Sequence, residues 1–133
     1  MMATPTKWGH DFLVSTATKK IAWDPTITGL GDGRFVVAWT FDGSVRAQVL
    51  NADGSNAGGE LGVTKKGGQS EPTITVLADG RFVVAWTDKS KTGGDTSGMA
   101  VRGKVFNTDG TKSGGEFLVN TKTAHNQSDP TIT

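Results

Sequence analysis

Gly33-Arg34-Phe35-Val36-Val37-Ala38-Trp39-Thr40 returns letter for letter as Gly80-Arg81-Phe82-Val83-Val84-Ala85-Trp86-Thr87, 47 residues further on. In an extended chain, alternate side chains point to opposite faces. Phe82, Val84 and Trp86 therefore share one side, and Val83 and Ala85 share the other. Both sides are apolar, which predicts a strand covered on both faces. Asp32-Gly33 and Asp79-Gly80 open the two copies, and an Asp-Gly pair is the residue chemistry of a tight hairpin turn.

The repeat extends outward from this octapeptide. Pro25-Thr26-Ile27-Thr28 recurs as Pro72-Thr73-Ile74-Thr75 and again as Pro130-Thr131-Ile132-Thr133. Val45-Arg-Ala-Gln-Val matches Val101-Arg-Gly-Lys-Val, and Asn51-Ala-Asp-Gly matches Asn107-Thr-Asp-Gly. The short link Phe41-Asp42-Gly43-Ser44 becomes the Lys/Gly/Ser/Thr-rich stretch 88–99, whose composition is that of a mobile loop. Phe12-Leu-Val-Ser-Thr near the start mirrors Phe117-Leu-Val-Asn-Thr near the end. One unit thus spans residues 1–133: a partial repeat at 12–24, repeat one at 25–71, repeat two at 72–129, and the start of a third at 130–133.

Each repeat reads as four short strands. In the second repeat the first strand is led by Pro72, which cannot donate to a ladder and so belongs at a strand start or edge. Residues 81–87 form the second strand, 101–106 the third, with apolar and cationic residues alternating, and 116–120 the fourth. Helix periodicity and helix caps are absent. Repeats of this size, with four strands and an aromatic second strand, fit propeller blades, whose known lengths run from about 40 to 50 residues. The expected fold is therefore all-β, with β-propeller-like four-stranded blades: two full repeats plus terminal partial repeats. Closed propellers hold about four to eight blades. Two blades alone leave apolar flanks such as Phe35, Val37 and Trp39 open, and such patches mark association surfaces. The expectation is a homo-oligomer in which further chains complete a ring.

Composition narrows the function classes. Fourteen basic against 13 acidic residues give a net charge of +1, too even for a nucleic-acid footprint. No apolar run approaches the roughly 18–20 residues that cross a bilayer, and the first residues lack the apolar stretch of a secretory signal. Without cysteine there is no thiol nucleophile, thiolate metal site or disulfide. His10 and His125 have no partner spacing, and no nucleophile elbow, phosphate loop or paired-histidine motif occurs. No enzymatic activity and no catalytic residue is expected.

The string Asp-Gly-Arg-Phe-Val-Val-Ala-Trp-Thr, with the Val-Arg-Ala-Gln-Val, Asn-Ala-Asp-Gly, Gly-Gly-Glu and Phe-Leu-Val-Asn-Thr that follow it, resembles tandem repeats of large secreted bacterial proteins. These are adhesin-like and haemolysin-type (RTX-like) calcium-binding polypeptides, and the resemblance covers roughly residues 12–133. It implies an extracellular or cell-surface setting and an adhesive or scaffolding role. The Gly-Gly-x-Gly-x-Asp nonapeptides that hold calcium in RTX segments are missing, so the resemblance brings no cofactor with it.

Two constellations remain as candidate sites. Trp39 and Trp86, with Arg46 and Arg102 in the next strand, form one aromatic–cation set per repeat, suited to weak multivalent carbohydrate binding. The same tryptophans suit an apolar core between blades, because Phe and Val share their face. Asp24, Glu71 and Asp129 each precede the Pro of a first strand. In a propeller that strand is innermost, so these carboxylates would ring one mouth of the channel, an arrangement a cation such as Ca²⁺ can use. An acid before Pro also serves simply to cap a turn. The function expected is a non-enzymatic self-assembling propeller module, with adhesion or glycan binding as its role. The alternative is a purely structural or engineered propeller fragment with no ligand.

Overall fold

The computed structural model describes residues 11–15, 21–65, 67–90, 98–120 and 130. It is all-β: two four-stranded antiparallel sheets with no helix among the described residues. Sheet one takes β1 (Ala22–Gly29), β2 (Phe35–Phe41), β3 (Ser44–Leu50) and β4 (Leu61–Gly62), in that spatial order. Sheet two repeats the meander with β5 (Gln69–Val76), β6 (Phe82–Asp88), β7 (Ala100–Phe106) and β8 (Phe117–Leu118).

The turns follow from the Asp-Gly pairs. Gly33 N–H donates to Leu30 C=O and Leu30 N–H donates to Arg34 C=O, which closes a turn with glycine in the left-handed region at φ 90°. Gly80 repeats this geometry at φ 90°. Asp32 accepts hydrogen bonds from both the N–H and Nε of Arg34, and these hold its carboxyl below the usual carboxylate range. Between β2 and β3, Asp42 and Gly43 both take positive φ, the two-residue turn whose twist matches its flanking strands. The matching link in the second repeat includes residues 91–97, outside the described residues.

Pro25 and Pro72 do not begin their strands. Each sits inside, directly after a residue with left-handed φ (Asp24 at 52°, Glu71 at 56°), and the pairing register slips there in both sheets. A bulge lets the chain carry a residue without an N–H and still resume its ladder. β5 extends back to Gln69, which pairs with Asp88 as Ala22 pairs with Phe41 in sheet one, and Gln69 N–H also reaches Gly43 C=O across the seam. The fourth strands are shorter than the sequence suggested, two residues each, since only Arg46–Gly62 and Ala47–Leu61 (with Arg102–Leu118 and Gly103–Phe117) pair.

The sheets stack face to face, and register shows which faces meet. Val36 pairs with Val49, Ala38 with Ala47 and Thr40 with Val45, so these six side chains share one face of sheet one. Ile74 pairs with Val84, Phe82 with Phe106 and Trp86 with Arg102, which defines one face of sheet two. Val36, Ala38, Val45, Ala47, Val49, Ile74, Phe82, Val84, Trp86 and Phe106 belong to one buried cluster. The face of sheet two that carries the Phe-Val-Trp side of the octapeptide therefore meets the Val-Ala side of sheet one. The contact is head to tail.

The bulges differ in one respect. Thr87 donates to Glu71 at 2.8 Å. The matching pair in sheet one, Thr40 and Asp24, is one methylene too short, and both Thr40 Oγ1 and Asp24 Oδ2 are buried without a partner. Asp24→Glu is expected to join them and raise stability by about 1 kcal/mol. Urea unfolding checks this, and the gain should vanish in Asp24→Glu/Thr40→Val.

Candidate assembly surfaces

Because the stacking is head to tail, each position buried at the seam has a counterpart on an outer face. Outer face one belongs to sheet one: Ile27, Phe35, Val37 and Trp39 correspond to Ile74, Phe82, Val84 and Trp86. Ile74 is 6 % exposed at the seam, whereas Ile27 is 63 % exposed outside. Outer face two belongs to sheet two: Val83, Val101 and Val105 correspond to Val36, Val45 and Val49. The first three are half-buried, while the seam residues are at most 2 % exposed. The exposed large apolar side chains gather toward these ends. Phe12, Leu13, Ile21, Trp23 and Ile27 lie toward sheet one, with Phe117 and Val119 on sheet two.

Outer face one is less bare than its sequence implied. Residues 12–15 lie over it, and Val14 packs on a cluster of Val37, Trp39, Phe41 and Leu50. Beside this segment Leu13, Val14, Ala22, Trp23, Val37 and Trp39 line an apolar groove of about 280 Å³.

The seam is closed by polar contacts as well. Lys104 Nζ donates to Val63 C=O at 2.9 Å, and Thr64 Oγ1 donates to Gln69 Oε1 at 3.2 Å, each joining the two sheets. Burial, reinforced by the charge of Lys112, pushes the Lys104 ammonium below its ordinary value. Lys65, Lys104, Lys112 and Glu116 border a small cleft there, about 190 Å³. Gln69 Nε2 in turn donates to Asp88 Oδ1 at 3.0 Å. Asp88 also pairs with Arg102 at 2.6 Å, and the two side chains are only 2 % and 5 % exposed.

The candidate sugar-binding residues are placed as follows. Trp86 is fully buried between the sheets, and its ring is enclosed by protein. Trp39 is 4 % exposed beneath residues 12–15. Arg46 pairs with Glu60 at 2.8 Å and stacks over the Phe41 ring at 4.6 Å. Arg102 is held by Asp88. The structure thus puts each tryptophan beside the arginine of its own repeat, Trp39 paired with Arg46 and Trp86 with Arg102.

Asp24 and Glu71 come together. With Pro25, Thr26, Pro72, Thr73 and Pro130 they border one open cavity of about 350 Å³, where the first strands of the two sheets run side by side. Asp129 lies outside the described residues, as do His10 and His125. Among the described residues no three carboxylates or histidines converge as a metal ion requires, and no helix is long and apolar enough to cross a membrane.

The Asp88–Gln69–Arg102 network was not read from sequence. Its signal was present: Asp88 stands where the otherwise matching repeat has Phe41. Compared with models of protein families, with curated proteins and with solved structures, the chain finds no match.

Proposed function

We propose that this chain is a non-enzymatic, self-assembling β-propeller repeat module, in which each four-stranded sheet acts as a blade. The observation that carries this reading is the seam inside the chain. It joins a Phe-Val-Trp face to a Val-Ala face, and the chain carries one further copy of each on its two outer ends. The partner that fits outer face one is therefore outer face two of a second copy. A heterologous contact of this kind makes a ring where its rotation closes and a filament where it does not. About four to eight blades close a propeller, which corresponds to about two to four of these chains.

Head-to-tail association makes a particular prediction for mixed variants. Wild-type chain is expected to sediment as a multiple of 13.9 kDa. Ile27→Asp blocks outer face one and Val83→Asp blocks outer face two, so each alone should be monomeric. Mixed one to one, they should form heterodimers through the single pair of intact faces. A folded wild-type chain that stays monomeric at micromolar concentration overturns the reading.

A further inference from the structure

Residues 61–64 do two things at the seam. They supply β4, paired with β3, and they cover the face of sheet two. Leu61 stands against Gly110, where an added Cβ would meet it at 3.2 Å, and Val63 is fully buried in the seam cluster. Residues 12–15 already do the second of these things on outer face one. Phe12 stands against Gly54, the counterpart of Gly110, where an added Cβ would meet its ring at 2.9 Å. Val14 packs on a cluster of Val37, Trp39, Phe41 and Leu50, and Val63 belongs to the cluster that holds Val84, Trp86 and Phe106, the counterparts of Val37, Trp39 and Leu50. Yet residues 12–15 pair with no strand among the described residues. They occupy the seat of a fourth strand whose own sheet is missing.

From this, and resting on the assembly reading above, we infer that residues 12–15 of one chain serve as the fourth strand of the second sheet of its neighbour, pairing with β7 and displacing β8. When outer face two of one copy comes onto outer face one of the next, the seam has room for one such segment, and two compete. The resident β8 is bonded to β7 but has no sheet across from it in the single chain. Phe117 is 42 % and Val119 50 % exposed, while Val63 in the complete seam is 0 % exposed. Residues 12–15 are already docked on the receiving face.

The polar chemistry matches too. Thr64 Oγ1 accepts the Val45 N–H at 2.9 Å, and Asn120 Oδ1 accepts the Val101 N–H at 2.9 Å. Ser15 stands at the same place in residues 12–15, so its hydroxyl oxygen can take over the Val101 N–H. The duplicated ends of the sequence are then alternatives for one position, and exchange ties each chain to the next by main-chain hydrogen bonds as well as by apolar contact.

The test places three cysteines in a chain that has none: Phe12→Cys, Gly103→Cys and Phe117→Cys. Gly103 pairs with Phe117 inside the chain and would pair with Phe12 of a neighbour after exchange. Directly paired antiparallel residues are close enough for a disulfide. Under mild oxidation the expected product is a 12–103 bond between chains, read by non-reducing mass and peptide mapping. A bond only between 103 and 117 of the same chain, in protein that still associates, overturns the exchange and leaves the assembly reading standing. Protein that does not associate overturns both. As a second measurement, Val14→Asp should weaken association roughly a hundredfold, while Val119→Asp should change it less than about threefold. The opposite order, or no effect of either, overturns the exchange.

Discussion

Trp86→Ala is expected to lower the unfolding free energy by about 4 kcal/mol, enough to unfold much of the protein. The indole fills the space between two sheets that make one core, and it is fully buried. Trimming it leaves a void walled by both sheets, which cannot collapse without breaking the strand pairing that fixes each wall. Trp39→Ala removes the same side chain from the same octapeptide, but on an outer face that residues 12–15, rather than a second sheet, lie over among the described residues. That segment can settle into the space, so a smaller loss, about 2 kcal/mol, is expected in the isolated chain. Urea denaturation of the two variants measures the difference. Equal losses would show that the outer face is packed as firmly as the seam.

The second large effect is expected at Asp88. Asp88→Ala should cost about 3 kcal/mol, because it takes the 2.6 Å carboxylate partner from the buried Arg102 guanidinium and leaves Gln69 Nε2 without its acceptor. The site is also sensitive to acid. Burial works to raise the Asp88 carboxyl, but hydrogen bonds from Ser90, Gln69 and Arg102 outweigh it and hold the group below the usual carboxylate range. A carboxyl lowered on folding contributes stability that is fully present above its ordinary value. That stability is lost as the pH falls through the lowered one. Wild-type stability should therefore drop below about pH 4, and Asp88→Asn should flatten that part of the profile. An unchanged acid limb in Asp88→Asn would show that other carboxyls set it.

Much of the fold was legible because its signals are local. The period-two apolar pattern marked β2 and β6, Asp-Gly pairs marked their turns, and the repeat forced two copies of one sheet. The bulges were not legible: Pro25 and Pro72 read as strand starts, because what lets them sit within a strand is the left-handed turn at Asp24 and Glu71. The equivalent positions of Asp24 and Glu71 were legible in the sequence, and the structure has both on one cavity. The buried network around Asp88 was not, since its members Gln69, Asp88 and Arg102 come together only through pairing of β5, β6 and β7. The mirrored Phe-Leu-Val triplets marked residues 12–15 as the match of a fourth strand, but that they lie on outer face one was decided by the tertiary structure.

The chain's own residues determined two like sheets, their turns and the apolar character of both faces of β2 and β6, because turn chemistry and side-chain alternation act within a few residues. The tertiary structure decided which copy of each residue is buried. Phe82 is fully buried and Phe35 half-buried, although both stand in the same eight-residue sequence. Burial depends on what lies across a face. Sheet two faces sheet one on that side, and sheet one faces a short segment and solvent.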